Sequence, residues 1–282
     1  MINKKYKWDY ELVKYKKINE YNQIDKLRNW ETAIGLQEVD GLTPSDYLID
    51  TVKKHIEGTI DIFEVKERID TYYKVSDDME YEKKNNHEEA DKVSVRIAEI
   101  LSDNSFSFNP LELLNIHKKL FDNVYNYAGK IRTYNFTKNE WILNNDTVIY
   151  ASYENIMDLL EYDFKQEKEF IYNEHTLKES IKNLCRFTSN IWQIHPFCEG
   201  NTRTVAVFII KYLRTFGFDI NDEVFENNSW YFRNSLVRAN YSNYEKNINE
   251  DYSYLEKFFY NLLSDSKFEL KNRYTHIDYI NS

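Results

Sequence analysis

Apolar residues recur at three- and four-residue spacing along most of the chain, the period of helices that pack on one face. Ile34, Leu36, Val39 and Leu42 keep that spacing until Thr43-Pro44-Ser45-Asp46 interrupts it. Thr43 is expected to cap the next helix, with Pro44 in its first position and Asp46 completing a capping-box-like pair. That helix is expected to reach Ile56, with Gly58 as its stop, and a further one to span Ile62 to Tyr73. Residues 1–75 therefore read as a helical N-terminal region.

The stretch from Val75 to Asp91 is charged and polar, and residues 76–90 are expected to form an exposed loop or linker. A second, longer region then follows over 91–266. Helical spacing marks Val93–Leu101, Leu111–Phe121 (with Pro110 near its first turn), Tyr153–Phe164, Leu177–Ile194, Val205–Leu213, Trp230–Asn240 and residues 252–263. Between them, β-prone residues flank Asn144-Asn145-Asp146 over Trp141–Tyr150, which predicts a small β-hairpin. Residues 267–282 read as a polar tail. The fold class expected is all-α with that one hairpin, and no internal repeat is found at periods of about twenty to fifty residues.

Composition narrows the function classes. Six glycines and three prolines argue against a β-sandwich or a flexible linker, and the aromatic wealth reads as core. A net charge of −10 opposes general nucleic-acid binding, which rests on neutralising phosphates with Lys and Arg. Two cysteines, Cys185 and Cys198, are too few for a disulfide framework and fit a cytoplasmic setting. No apolar run is long enough to span a membrane, and the first residues do not read as a signal peptide.

The candidate chemistry lies in one stretch, Trp192 to Thr204. His195 can take a proton near neutral pH, Glu199 is a hard oxygen ligand suited to Mg²⁺, and Arg203 offers a fork for phosphate. Gly200 permits close backbone approach, and the helix that follows turns its N-terminal amides toward an anion. Phe197 is expected to bury its ring beneath the loop. These parts describe phosphoryl or nucleotidyl transfer to a nucleophile activated by His195. Cys198 reads as a tolerated loop residue rather than a nucleophile, with a redox-sensitive thiol as the alternative, and His117 as a core or surface histidine rather than a ligand.

His195 to Ala206 resembles the signature of Fic-domain proteins, His-x-Phe-x-Asp/Glu-Gly-Asn-Gly-Arg-x-x-Arg, with Thr202 and Ala206 in place of its last glycine and second arginine. Tyr127 to Tyr134 also resembles the core of such a domain. The resemblance implies a helical fold and transfer of AMP from ATP to a Ser, Thr or Tyr hydroxyl of a target protein. It assigns the base to His195, Mg²⁺ to Glu199, the phosphate cradle to Gly200, Asn201 and Thr202, and the leaving pyrophosphate to Arg203. It further implies that Trp141–Tyr150 is a flap docking the target by strand addition, with Val148, Ile149 and Tyr150 at its edge. Phe232, Arg233 and Asn240 would flank the adenine and ribose.

Trp30 to Tyr73 resembles the small antitoxin module found beside some Fic domains, whose Ser/Thr-x-x-x-Glu-Gly motif sets a glutamate against the second arginine. Leu36 to Gly41 is the better match and offers Asp40; Lys53 to Gly58 is a rival that keeps Glu57-Gly58. Since Ala206 stands where that arginine would be, the segment is expected to be kept for packing, with inhibition through Asp40 as the alternative. Other functional readings are transfer of a different nucleotidyl or phosphate-containing group, removal of AMP by an activated water, and a non-catalytic nucleotide-binding scaffold or toxin–antitoxin component. A homo-oligomer is left open.

Overall fold

An apolar run with no polar face has to be covered on every side, and Val205–Leu213 is: each residue of it is buried, Lys211 included. The computed structural model describes residues 20–75, 81–217 and 223–279. Among them are ten α-helices: α1 (Glu20–Gly35), α2 (Asp46–Ile56), α3 (Ile62–Val75), α4 (Tyr81–Ser102), α5 (Pro110–Phe121), α6 (Ile156–Glu169), α7 (Leu177–Ile194), α8 (Asn201–Thr215), α9 (Glu223–Ala239) and α10 (Ser253–Leu263). The all-α class holds. Helix α8 is the central rod, packed by α5, α7 and α4. Its one lysine, Lys211, turns its ammonium onto the carbonyls of Ile100 and Asp103 at the end of α4.

Helix α1 lies against both α4 and α9. The approach at its end is so close that a Cβ on Gly35 would meet the backbone of Glu226 at 2.5 Å. The Ser229 hydroxyl donates to the Gly35 carbonyl at 2.6 Å. Helices α2 and α3 are fixed by a buried carboxylate: Asp91 accepts from the Ser45 amide at 2.8 Å, the Ser45 hydroxyl at 2.5 Å and the Tyr73 hydroxyl at 2.7 Å. Burial holds the Asp91 carboxyl above the ordinary carboxylate range.

Four local expectations change. Ser45, not Thr43, caps α2, its side chain accepting from the Leu48 amide; extended backbone at Ser45 makes Asp46 the first helical residue. Residues 76–80 lie outside the described ones, but 81–90, expected as loop, form the first turns of α4. No proline or glycine interrupts that charged run, so nothing in it stops a helix.

The hairpin does not form. Trp141–Leu143 is a 3₁₀ turn, Asn144 and Asn145 both take positive φ, and a single antiparallel bridge joins Glu140 to Asp146. Ile142 and Leu143 are both fully buried, which a strand's alternation forbids for neighbours, and the Ile142 carbonyl accepts from the Ile277 amide. The polar C-terminal stretch packs here too: Thr275 is fully buried, and Asn144 donates to Asp278 at 2.9 Å.

Candidate active site

The turn between α7 and α8 is built so that its backbone reverses within a few residues. His195 ends α7 in the left-handed region (φ 51°), and Gly200 precedes α8 with φ 77°. Glycine is required at the second position twice over: by that φ, and because a Cβ would lie 2.4 Å from the Phe121 ring beneath the loop. Asn201 folds back across the turn, accepting from the Phe197 amide at 3.0 Å and donating to the Phe197 carbonyl at 2.8 Å. Thr202 stands where a glycine was expected, but the position is already helical, and its hydroxyl accepts from the Trp192 indole at 3.0 Å.

Two residues that sequence reasoning passed over hold this turn. His117, read as an ordinary core or surface histidine, stacks on Phe197 at 3.7 Å. Its Nε2 bonds to the Glu199 carbonyl at 3.0 Å while Nδ1 accepts from the Gly129 amide at 2.8 Å. Accepting at Nδ1 requires a neutral ring that donates from Nε2, and burial pushes its pKa down to about 4. Arg132 donates to the carbonyls of His195, Ala151 and Tyr134, at 2.8, 2.5 and 2.8 Å, and so ties the turn to the residue that follows Tyr150. Only the Tyr127–Tyr134 segment that contains it carried a signal.

His195 is 3% exposed. Its Nδ1 bonds to the Trp192 carbonyl at 3.2 Å, which places the proton there and leaves Nε2 as a bare lone pair; that atom is buried and has no hydrogen-bond partner among the described residues. Burial, and then the Lys138 ammonium, hold the imidazole well below its ordinary pKa. Around it stand aromatic rings: Tyr150 stacked at 3.9 Å, Trp192 edge-on at 5.4 Å and Phe136 at 5.7 Å.

His195, Glu199, Gly200, Asn201 and Thr202 line one small cavity with Asp40, Lys138, Trp192 and Arg233. Its ≈ 20 Å³ holds about one water, far below the roughly 300 Å³ or more of a ligand pocket. The groups around it are engaged with one another. Glu199 pairs with Lys138 at 2.8 Å, and Arg233 makes a two-pronged pair with buried Glu140 at 2.7 and 3.0 Å.

Arg203 is not in the cavity but buried behind it. Its Nε lies 2.7 Å from Asp40, one terminal nitrogen donates to Glu89 at 2.6 Å and the other to Gln37 at 3.1 Å. Asp40 thus finds an arginine although Ala206, fully buried on α8, leaves it none at the expected place.

The remaining site candidates scatter. Phe232 is a core residue among Phe225, Phe258 and Phe259, and does not line the cavity. Asn240, just past α9, donates to the Leu236 carbonyl at 2.8 Å and to the Ser189 carbonyl of α7 at 3.4 Å. Of the three residues expected to dock a target, Val148 is buried, Tyr150 covers His195, and Ile149 alone projects outward at 82% exposure.

Residues 107–213 match the family model of the Fic/DOC family, and this span holds both the turn and the His117 post beneath it. The chain carries a Fic/DOC domain. It is 27% identical over 143 residues to the protein adenylyltransferase VbhT of Bartonella schoenbuchensis, covering 51% of this chain and 27% of that protein. It is also 27% identical over 146 residues to the probable protein adenylyltransferase y4lH of Sinorhizobium fredii, covering 51% of this chain and 70% of that protein. The chain thus spans about a quarter of the length of the first of these relatives. No solved structure matches it. No described helix is long and apolar enough to cross a membrane.

Proposed function

We propose that the protein is an adenylyltransferase that moves AMP from ATP to a Ser, Thr or Tyr hydroxyl of a target protein. The observation that carries the reading is the tautomer of His195: with Nδ1–H spent on Trp192, Nε2 is free to take a proton, and it lies beside the start of α8. A target hydroxyl gives its proton to Nε2 as its oxygen attacks the α-phosphorus, and pyrophosphate leaves. The unpaired amides of the first turn of α8, from Gly200 to Thr202, face the charge that grows on the phosphoryl oxygens.

Mg²⁺ on a nucleotide keeps water and phosphate oxygens for most of its shell and needs only one or two carboxylates. Glu199, part-exposed at the cavity, would suit that place once its pair with Lys138 opens, and the ion would supply charge neutralisation there. Among the described residues no cluster of three metal-binding side chains occurs, so a dedicated all-protein site is not part of the reading.

The division into a regulatory prefix over 1–75 and a Fic domain over 91–266 belongs to the same proposal. Asp40 lines the cavity and pairs with Arg203, which lies outside it, and this supports inhibition by the prefix rather than packing alone. Purified protein, a cell lysate and four α-labelled nucleotides, with His195→Ala as control, test the whole. Label from ATP that depends on His195 is expected. Label from another nucleotide alone would replace the donor, and nucleotide binding with no label, even after removal of residues 1–75, would favour a non-catalytic scaffold.

A further inference from the structure

Lys138 carried no signal in the sequence, yet its ammonium lies 2.8 Å from the Glu199 carboxylate, at the cavity that also holds His195. It does not reach there as a loose surface chain. Its backbone amide donates to the Thr147 hydroxyl at 3.2 Å, and the next turn of the segment is closed by the Glu140–Asp146 bridge. The Phe136 ring lies 6.0 Å from the ammonium and 5.7 Å from the His195 ring. Lys138 and Tyr150 therefore stand at the two ends of one segment, the first on Glu199 and the second on His195.

We infer that Lys138 is a positioning residue whose ammonium occupies the place of the divalent cation on Glu199, so that a closed flap and a bound metal ion exclude one another. The inference rests on the reading of Glu199 as the metal-holding carboxylate. An ammonium and a Mg²⁺ sharing the Glu199 carboxylate would stand only a few ångströms apart and repel one another. A metal ion arriving with nucleotide phosphates displaces Lys138, and with it the segment that carries Tyr150. The base is thereby uncovered only when the donor is in place. The pair is suited to a latch because both partners are part-exposed, at 28% and 45%, and ion pairs of that kind are individually weak.

Mn²⁺ binding in the presence of adenylyl imidodiphosphate, read from loss of the free-ion paramagnetic resonance signal, tests this on the full chain. Parent, Lys138→Gln and Glu199→Gln are compared, each with and without Asp40→Ala. Lys138→Gln is expected to bind Mn²⁺ about two- to fivefold more tightly and Glu199→Gln to bind it much less well. Hydrogen exchange over residues 138–150 should quicken when Mn²⁺ and the analogue are added to the parent, and should already be quick in Lys138→Gln. Equal Mn²⁺ affinity in parent and Lys138→Gln, with flap exchange indifferent to the ion, overturns the latch and leaves the transferase reading intact. Mn²⁺ held as tightly by Glu199→Gln as by the parent, or by none of them, overturns both.

Discussion

The Asp40 carboxylate lies 2.7 Å from Nε of Arg203, a side chain 1% exposed. A 3₁₀ turn over Leu36–Asp40, closed by Gly41 in the left-handed conformation, aims it there. The pair links the prefix to the helix that begins at the candidate cavity. Glu89 on α4 and Gln37 complete the enclosure of the guanidinium.

Asp40→Ala is expected to raise the rate of label transfer from ATP, about tenfold, and to lower the melting temperature, since a buried charge loses one of its two carboxylate partners. Glu89→Gln in addition should raise the rate further. A transfer rate identical to the parent's in both variants would leave the prefix with a packing role only.

His195→Ala should reduce transfer by a hundredfold or more while leaving the helical fold intact. The check is label incorporation alongside a circular dichroism melt. Since the ring makes only one hydrogen bond, its loss should affect stability far less than it affects rate.

His117→Ala removes the post under the turn and leaves the Glu199 carbonyl and the Gly129 amide without partners. Denaturant titration should show a loss of about 2–4 kcal/mol, the sum of a cavity and two unpaired groups.

Acid should weaken the fold through three buried histidines, His55, His117 and His195. His117 and His55 are both pushed from the ordinary 6.5 to about 4, chiefly by burial; the His55 ring accepts from the Trp30 indole at 2.9 Å and so must be neutral. Between those values the unfolded chain binds protons that the folded chain refuses. Stability is thus fully present above about pH 6.5 and is lost as pH falls toward 4, by up to about 3 kcal/mol per histidine. Asp91 and Glu167, buried carboxyls raised above their ordinary range, oppose this at the acid end. Urea titrations at pH 7 and pH 5 should therefore differ in the parent, and differ less in His55→Gln and His117→Gln.

Gly200→Ala is expected to destabilise the chain by about 2–4 kcal/mol, from a strained positive φ and from overlap with Phe121. Pairing it with Phe121→Leu should recover the overlap part and not the backbone part, which a thermal melt of the three variants would separate.

How much was legible follows from the range of each interaction. The helices from α5 to α10 were readable because apolar spacing and caps are local properties: Leu177–Ile194 matched in the sequence and in α7, capped by Thr176 and Glu179. The motif residues His195, Glu199, Gly200, Asn201 and Thr202 converge because one turn carries them all. What spacing could not show is what comes to that turn from elsewhere. Lys138, Arg132, His117 and Glu89 lie on other segments, and no local pattern marks a residue whose partner is fixed by packing. The hairpin failed for the same reason: Asn144 and Asn145 do turn the chain with positive φ, but Ile142 and Leu143 before them are both buried, which leaves no strand there. The sequence by itself determined the helices, the reversal at Gly200 and the chemistry available at its mouth. Only the tertiary structure decided which of those groups face the cavity and which are held by other charges, because ion pairs and close approaches between distant segments exist only once the core has brought them together.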